Sequence, residues 1–246
     1  MNDTSTVAVI IPFRSRGNDP LREQNLARVV VEWRENGYDP IVVSDGRRGS
    51  DAFCRSAAYN QAVEMVEADV YVFTESDLII RPEAIEMAVD LAVKEPGLVI
   101  PFSEFRSLSE KDSRLIRHSV TDPSNCLTSV VRGYRGSIGA INVVSRESYD
   151  LIGAYDEGFE GAWYDDDAMK IAFEICCGPT RWVDGPAYHL YHLSGGRGGH
   201  LTDEERAATA RNSARYEQYQ SASTADEIRL LTSRGVAKRN TPEAGQ

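Results

Sequence analysis

An α/β fold on a mostly parallel central sheet is what this sequence predicts, and three observations carry the prediction. Short runs of β-forming residues alternate with amphipathic stretches of helical spacing through the first hundred residues. Three of those runs end in polar tips, at 13–17, 45–49 and 75–77. The chain has 246 residues and is 41% hydrophobic, enough for one substantial core, and it shows no internal repeat. Strand–helix repeats of this length close by right-handed crossovers, and ligands of such sheets bind beyond the carboxyl ends of the strands. The three tips are therefore expected to converge on one crevice.

Residues 7–13 form a continuous apolar run and predict the first strand. Asp19-Pro20 then reads as an N-cap with proline at the first helical position. Leu26, Val29, Val30 and Trp33 give the helix its apolar face, and Gly37 stops it. A second buried strand at 41–44 leads into Asp45-Gly46. Ser50 is the expected cap of a helix reaching about residue 67, with Phe53, Ala57 and Met65 toward the core. The third strand is 70–74. Arg81-Pro82 opens a helix carrying Ile85, Ala88, Val89 and Ala92 on one face, and 98–100 is a fourth strand.

The second hundred residues are less regular. Residues 102–131 read as loop and short helix, and 132–136 as a flexible basic turn. A strand is expected at 138–144, a short helix at 146–152 ending on Gly153, a helix at 165–176, and short strands at 181–183 and 187–193. Residues 195–199 are a glycine-rich break. Two polar helices are expected over 202–234 and a disordered tail beyond. This divides the chain into a regular half, 1–100, a less regular half of the same domain, 101–200, C-terminal helices, 201–235, and a tail, 236–246.

A formal net charge of −11 and a pI near 4.9 argue against general nucleic-acid or anionic-membrane binding. Cys54, Cys126, Cys176 and Cys177 lack metal-ligand spacing and read as small apolar residues in a reducing compartment. There is no charged leader with an apolar run and no apolar stretch of membrane-spanning length, so a soluble, cytoplasmic protein is expected.

The chemistry-bearing residues cluster at the expected tips. Glu75-Ser76-Asp77 follows a strand, and residues two apart on extended chain share a side, so both carboxylates are expected to leave together. Hard oxygen ligands there suit a divalent cation carrying a diphosphate. At the first tip, Phe13 offers a stacking face, while Arg14 and Arg16 offer bidentate donors to phosphate or base edges. Asp165-Asp166-Asp167 opens a helix, whose dipole favours their charge while mutual repulsion raises at least one pKa. His189 and His192 lie three apart. On a strand they face opposite ways, so only one of them is expected at any one site.

Taken in this order, these segments resemble the GT-A-type nucleotide-sugar glycosyltransferases. The resemblance is greatest to the β4-galactosyltransferase and polypeptide N-acetylgalactosaminyltransferase catalytic domains, and spans roughly residues 7–195. Ile10-Ile11-Pro12-Phe13-Arg14-Ser15-Arg16 resembles the family's strand-end opening, which implies that Pro12, Phe13, Arg14 and Arg16 meet the nucleotide. Asp45 stands where the family has an acid for the uracil or ribose, and Arg55 and Asn60 match a helix pattern near the donor diphosphate. Thr74-Glu75-Ser76-Asp77 resembles the Asp-x-Asp motif with glutamate first. This implies Asp77 as a direct Mn²⁺ or Mg²⁺ ligand, completed by His192 or His189, with Glu75 and Ser76 on the donor side.

The block from Gly153 to Asp167 resembles the family's acidic block. Ala162 and Trp163 depart from its Trp-Gly pair, Asp165 falls on its glutamate, Asp166 on its catalytic base, and Asp167 is the expected cap of the next helix. The implied fold is GT-A: a Rossmann-like sheet flanked by helices, with a less regular acceptor-side half and C-terminal helices. The implied activity is metal-dependent hexosyl transfer from a UDP-sugar, inverting with an Asp base. A retaining enzyme, a nucleotidyltransferase and a non-catalytic nucleotide-sugar-binding module are the rivals. A chain without a stem or anchor fits a bacterial or viral source. Arg106, Arg114, Arg117, Arg132 and Arg135 are candidate contacts for an anionic acceptor, which ranges from a glycan, protein or small molecule to a modified DNA base.

Overall fold

The computed structural model describes residues 5–15, 17, 19–48, 51–118, 122–126, 130–195 and 198–236. Its core is a six-stranded sheet in the order β2-β1-β3-β8-β5-β9. These strands are β1 (Val7–Pro12), β2 (Ile41–Val43), β3 (Val70–Thr74), β5 (Val99–Ile100), β8 (Ile141–Ser145) and β9 (Arg181–Trp182). β1 pairs in parallel with both β2 and β3, and β5 with β9, while β8 runs antiparallel to β3 and β5. Five strands therefore share one direction and β8 alone is reversed. β1 and β3 are apolar along nearly their whole length because helices cover both faces, as an internal parallel sheet requires.

The crossover helices follow the predicted pattern. α1 (Pro20–Glu35) starts on Asp19, whose side chain accepts from Leu21 N, and buries Val29 and Trp33. α2 (Arg55–Met65) begins four residues later than a cap at Ser50 implied. The buried Asp45 carboxylate takes the Cys54 N–H at 3.0 Å and holds the preceding segment extended. Ser50 itself lies outside the described residues, and Met65, expected inside, is 68% exposed. α3 (Pro82–Lys94) opens at the expected proline and buries Ile85, Ala88 and Ala92.

A second sheet, β4-β10-β6-β7, was not legible in the sequence. β4 (Leu78–Ile80) and β10 (Pro186–His189) pair antiparallel, and β10 and β6 (Glu104–Ser107) pair in parallel. Within 102–131, read as loop and short helix, the expected helix is α4 (Glu110–His118) and the strand β6 is an addition. The expected basic turn is largely strand β7 (Val130–Tyr134), held by antiparallel pairing to β6.

α5 (Arg146–Ile152) is capped by Ser145 and, as the sequence implied, ends on Gly153, which lies in the left-handed region. α6 (Asp165–Cys177) starts at Asp165, so Asp167 is its third residue and not its cap. α7 (Asp203–Ser221) opens with a Thr202–Glu205 capping box, and α8 (Ala225–Val236) follows it. The tail from 237 lies outside the described residues. Among the described residues no helix is long and apolar enough to cross a membrane.

α7 is fastened to the acidic block by a buried ion pair. Asp156, 0% exposed, accepts two bonds of 2.6 Å from Arg215 and one of 2.8 Å from Tyr219 Oη. Asp156→Ala leaves that guanidinium without its counter-charge. It is expected to lower the unfolding free energy by about 3–5 kcal/mol in urea denaturation. A loss below about 1 kcal/mol, the range of a surface pair, would mean that α7 docks without this pair.

Candidate active site

The tips meet as expected. Phe13 N donates to Val43 O at 2.8 Å, which brings the ends of β1 and β2 together. Arg14 pairs with Asp45 at 2.8 Å, and both side chains are nearly buried. Two predicted donor-side residues, Pro12 and Ser76, are buried, and Phe13 is half-buried. Arg16 lies outside the described residues.

Just past β3 the two acids of Glu75-Ser76-Asp77 part company. Glu75 accepts from Arg55 Nη1 at 2.9 Å, while Asp77 meets both histidines. His192 Nε2 is 2.9 Å from Asp77 Oδ2, His189 Nε2 is 3.6 Å from Asp77 Oδ1, and the two ring nitrogens are 3.1 Å apart. The strand-alternation argument for one histidine therefore fails. β10 ends at His189, so His192 lies beyond the strand and the chain brings it back onto the same side. Leu190 N, bonded to Asp77 O at 2.8 Å, fixes that return.

This trio fits a divalent cation. Its ligand atoms lie within 4.8 Å of one another, and Asp77 Oδ1 is buried without a hydrogen-bond partner. His192 Nδ1 is 2.6 Å from Leu193 O. A carbonyl only accepts, so Nδ1 carries a hydrogen and, in the neutral ring, Nε2 carries the lone pair. That lone pair would face a carboxylate oxygen, an arrangement relieved by a proton or by a metal ion. Burial pulls the His192 imidazole down, but the Asp77 hydrogen bond and charge more than offset it and raise its pKa. Burial works to raise the Asp77 carboxyl, yet His189 and His192 overcome it and hold it below the usual range. Burial, and then Asp77, push Glu75 above it.

Arg55 is the second centre. Its Nε and Nη2 donate to Asp165 Oδ2 at 3.1 and 2.6 Å, Nη2 also meets Asp166 Oδ1, and Nη1 reaches Glu75 and Gly139 O, the latter at 3.2 Å. The guanidinium thus ties the end of β3 to the first turn of α6 and relieves the predicted repulsion between Asp165 and Asp166. Burial, then Asp165, push up the remaining acid of the triplet, Asp167. Asp166 lies directly against Gly139, where any β-carbon would collide with its carboxylate.

Trp163 and Tyr164 precede the acids with φ of 71° and 72°, a left-handed conformation disfavoured for both. Asn212 of α7 offsets this by donating to Glu160 O, Ala162 O and Trp163 O at 2.9–3.1 Å.

Asn60 is brought near the block but not onto the crevice. It is 2% exposed and donates to Tyr155 O and Glu157, while Tyr149 Oη and Tyr155 N donate to its oxygen. Its amide is spent bracing the block, which argues against the donor contact expected of it. Arg106 pairs with Glu104, Arg117 donates to Asn25, and Arg135 stacks on Trp182. The side chain of Arg132 lies outside the described residues.

Arg22, which the sequence left unmarked, sits at the start of α1 and donates to Leu193 O at 3.2 Å. The available signal was a basic residue in the first turn of a capped helix.

No protein-family model and no curated protein matches the chain. Among solved structures, the chain is similar to the catalytic domain of Drosophila β1,4-galactosyltransferase 7 in complex with xylobiose, with 16% identity and a TM-score of 0.45. That match covers 74% of this chain and 65% of that one. It is similar to glucosyl-3-phosphoglycerate synthase from Mycobacterium tuberculosis, bound to Mn²⁺, UDP-glucose and phosphoglyceric acid (15% identity, 86% and 78% covered, TM-score 0.46). It is also similar to GalNAc-T7 with UDP, GalNAc and Mn²⁺ (12% identity, 96% and 55% covered, TM-score 0.49). The chain thus spans less than two thirds of the length of the galactosyltransferase and GalNAc-T7 chains.

Proposed function

We propose that this protein is a metal-dependent glycosyltransferase that moves a sugar from a nucleotide-sugar donor, a UDP-sugar, to an acceptor hydroxyl. One observation carries the reading. The Asp77–His189–His192 trio and the Arg55-bound acids Asp165 and Asp166 are joined through Glu75 beyond the carboxyl ends of β1–β3. Donor and cation then belong to the half formed by 1–100, closed by the two histidines, and the acceptor to the half formed by 101–200.

Asp77, His189 and His192 would hold the cation. Two imidazoles beside one carboxylate favour Mn²⁺ over Mg²⁺, which prefers oxygen ligands and dehydrates reluctantly. When bound, it would supply Lewis-acid charge to the leaving diphosphate. Phe13, Arg14 and Asp45 line the nucleotide side. Arg55 holds Asp166 in place, and in an inverting reaction Asp166 takes the acceptor proton as the hydroxyl bonds to the anomeric carbon and becomes acidic. In a retaining reaction the same acids would bind the acceptor instead, and the product anomer read by NMR separates the two.

The test is a panel of UDP-, GDP- and TDP-sugars with Mn²⁺, read by nucleoside diphosphate release. UDP-sugars are expected to be consumed. UDP binding with no turnover of any donor would favour a binding module. Pyrophosphate release from a nucleoside triphosphate and a sugar phosphate would make it a nucleotidyltransferase.

A further inference from the structure

We propose that Arg22 binds the second phosphate of the donor and makes the site select nucleoside diphosphates over monophosphates; this rests on the function proposed above. Arg22 is the third residue of α1, in the turn where the helix dipole disfavours a cation. Its placement therefore calls for a reason outside the helix.

The guanidinium is held beside the metal trio. Arg22 Nη2 and His192 Nδ1 share one acceptor, Leu193 O, at 3.2 and 2.6 Å. On its other side, Asp19 accepts from Leu193 N at 2.7 Å, so the first turn of α1 grips both polar groups of that residue. The edge of the guanidinium also lies against Gly195, where a β-carbon would sit 3.5 Å from Nη2.

Charge partition sets Arg22 apart from the other described arginines of the crevice. Arg14 is committed to Asp45 at 2.8 Å and Arg55 to Glu75, Asp165 and Asp166. The carboxylate nearest Arg22, Asp19, is 3.8 Å away, and its side chain keeps 25% exposure. A divalent cation on Asp77 leaves a local charge of about +1. A bound nucleoside diphosphate brings about −3, and a sugar-linked one about −2. A further cation is needed, and it is needed more as the sugar leaves and the diphosphate gains charge. The planar fork of arginine suits phosphate oxygens.

The test compares the wild-type protein with Arg22→Gln and Arg22→Lys in the presence of Mn²⁺, by calorimetric titration with UDP, UMP and inorganic pyrophosphate. Mn²⁺ binding is measured separately on each protein. Wild type is expected to prefer UDP to UMP. In Arg22→Gln, UDP and pyrophosphate should weaken by about tenfold to a hundredfold, the worth of one charge-assisted contact. UMP and Mn²⁺ should hold within about twofold, a fraction of one such contact, and Arg22→Lys should restore part of the loss.

An equal loss for UDP and UMP, or a parallel loss of Mn²⁺, would overturn the assignment and make Arg22 a strut for Leu193 and His192. Unchanged UDP binding would overturn it outright. Wild type that binds pyrophosphate through Arg22 but no uridine nucleotide would instead refute the donor reading and leave the phosphate contact standing.

Discussion

Replacing Asp77 by alanine is expected to abolish Mn²⁺ binding in the crevice and to lower kcat/KM for sugar transfer at least about a thousandfold, or ~4 kcal/mol. Asp77 is the anionic member of the trio and touches both histidines, so its loss removes the charge that opposes the cation's desolvation. The variant also leaves two imidazole nitrogens 3.1 Å apart with nothing between them, which favours one neutral, outward-turned ring over a ligand pair. Asp77→Asn keeps the shape and loses the charge. It should bind Mn²⁺ weakly, and circular dichroism should show both variants folded. Metal titration and donor turnover measured on the same preparations check this. Wild-type Mn²⁺ dependence in folded Asp77→Ala would remove the trio from the mechanism.

Arg55→Ala is expected to have the next largest effect, on stability and turnover together. It leaves Glu75, Asp165 and Asp166 facing one another without their common counter-charge, at a cost of about 3 kcal/mol in unfolding free energy. kcat should fall about a hundredfold or more because Asp166 loses its aim, while Mn²⁺ affinity changes little. Arg55→Lys restores the charge but not the fork, since one ammonium cannot span acceptors on β3, the Gly139 loop and α6. It should recover stability more than rate. A lysine variant with wild-type kcat would show that charge alone suffices and that the fork geometry is irrelevant.

What the sequence revealed follows from the range of each interaction. β3, α3, α5 and the cap at Asp19 rest on neighbours a few residues away and were legible with little error. Asp77 was legible because it follows a strand in an acidic motif. The partners of Arg55 were not, because they lie 20, 110 and 111 residues away and no spacing rule links them. β4 escaped because three apolar residues are too few to show a period and β6 because its four are of mixed polarity, and pairing with β10 makes both strands. Arg22 escaped because a single arginine on an amphipathic helix resembles any solvated one. His189 and His192 were separated by a rule that holds only inside a strand, and β10 stops between them.

The reversed strand β8 also bears on how the chain assembles. Residues 1–100 bring together β2, β1 and β3, but β5 joins them only through β8, which arrives after residue 140. Until then the apolar flank of β3 is an open edge beside a two-residue strand with no partner. Residues 1–100 are therefore not a self-sufficient folding unit: their sheet is completed by the same segment that carries Gly139 under Asp166. During synthesis the tip that carries Asp77 and the acid-bearing helix become ordered in one late, non-local step, so the crevice is expected to form as a whole.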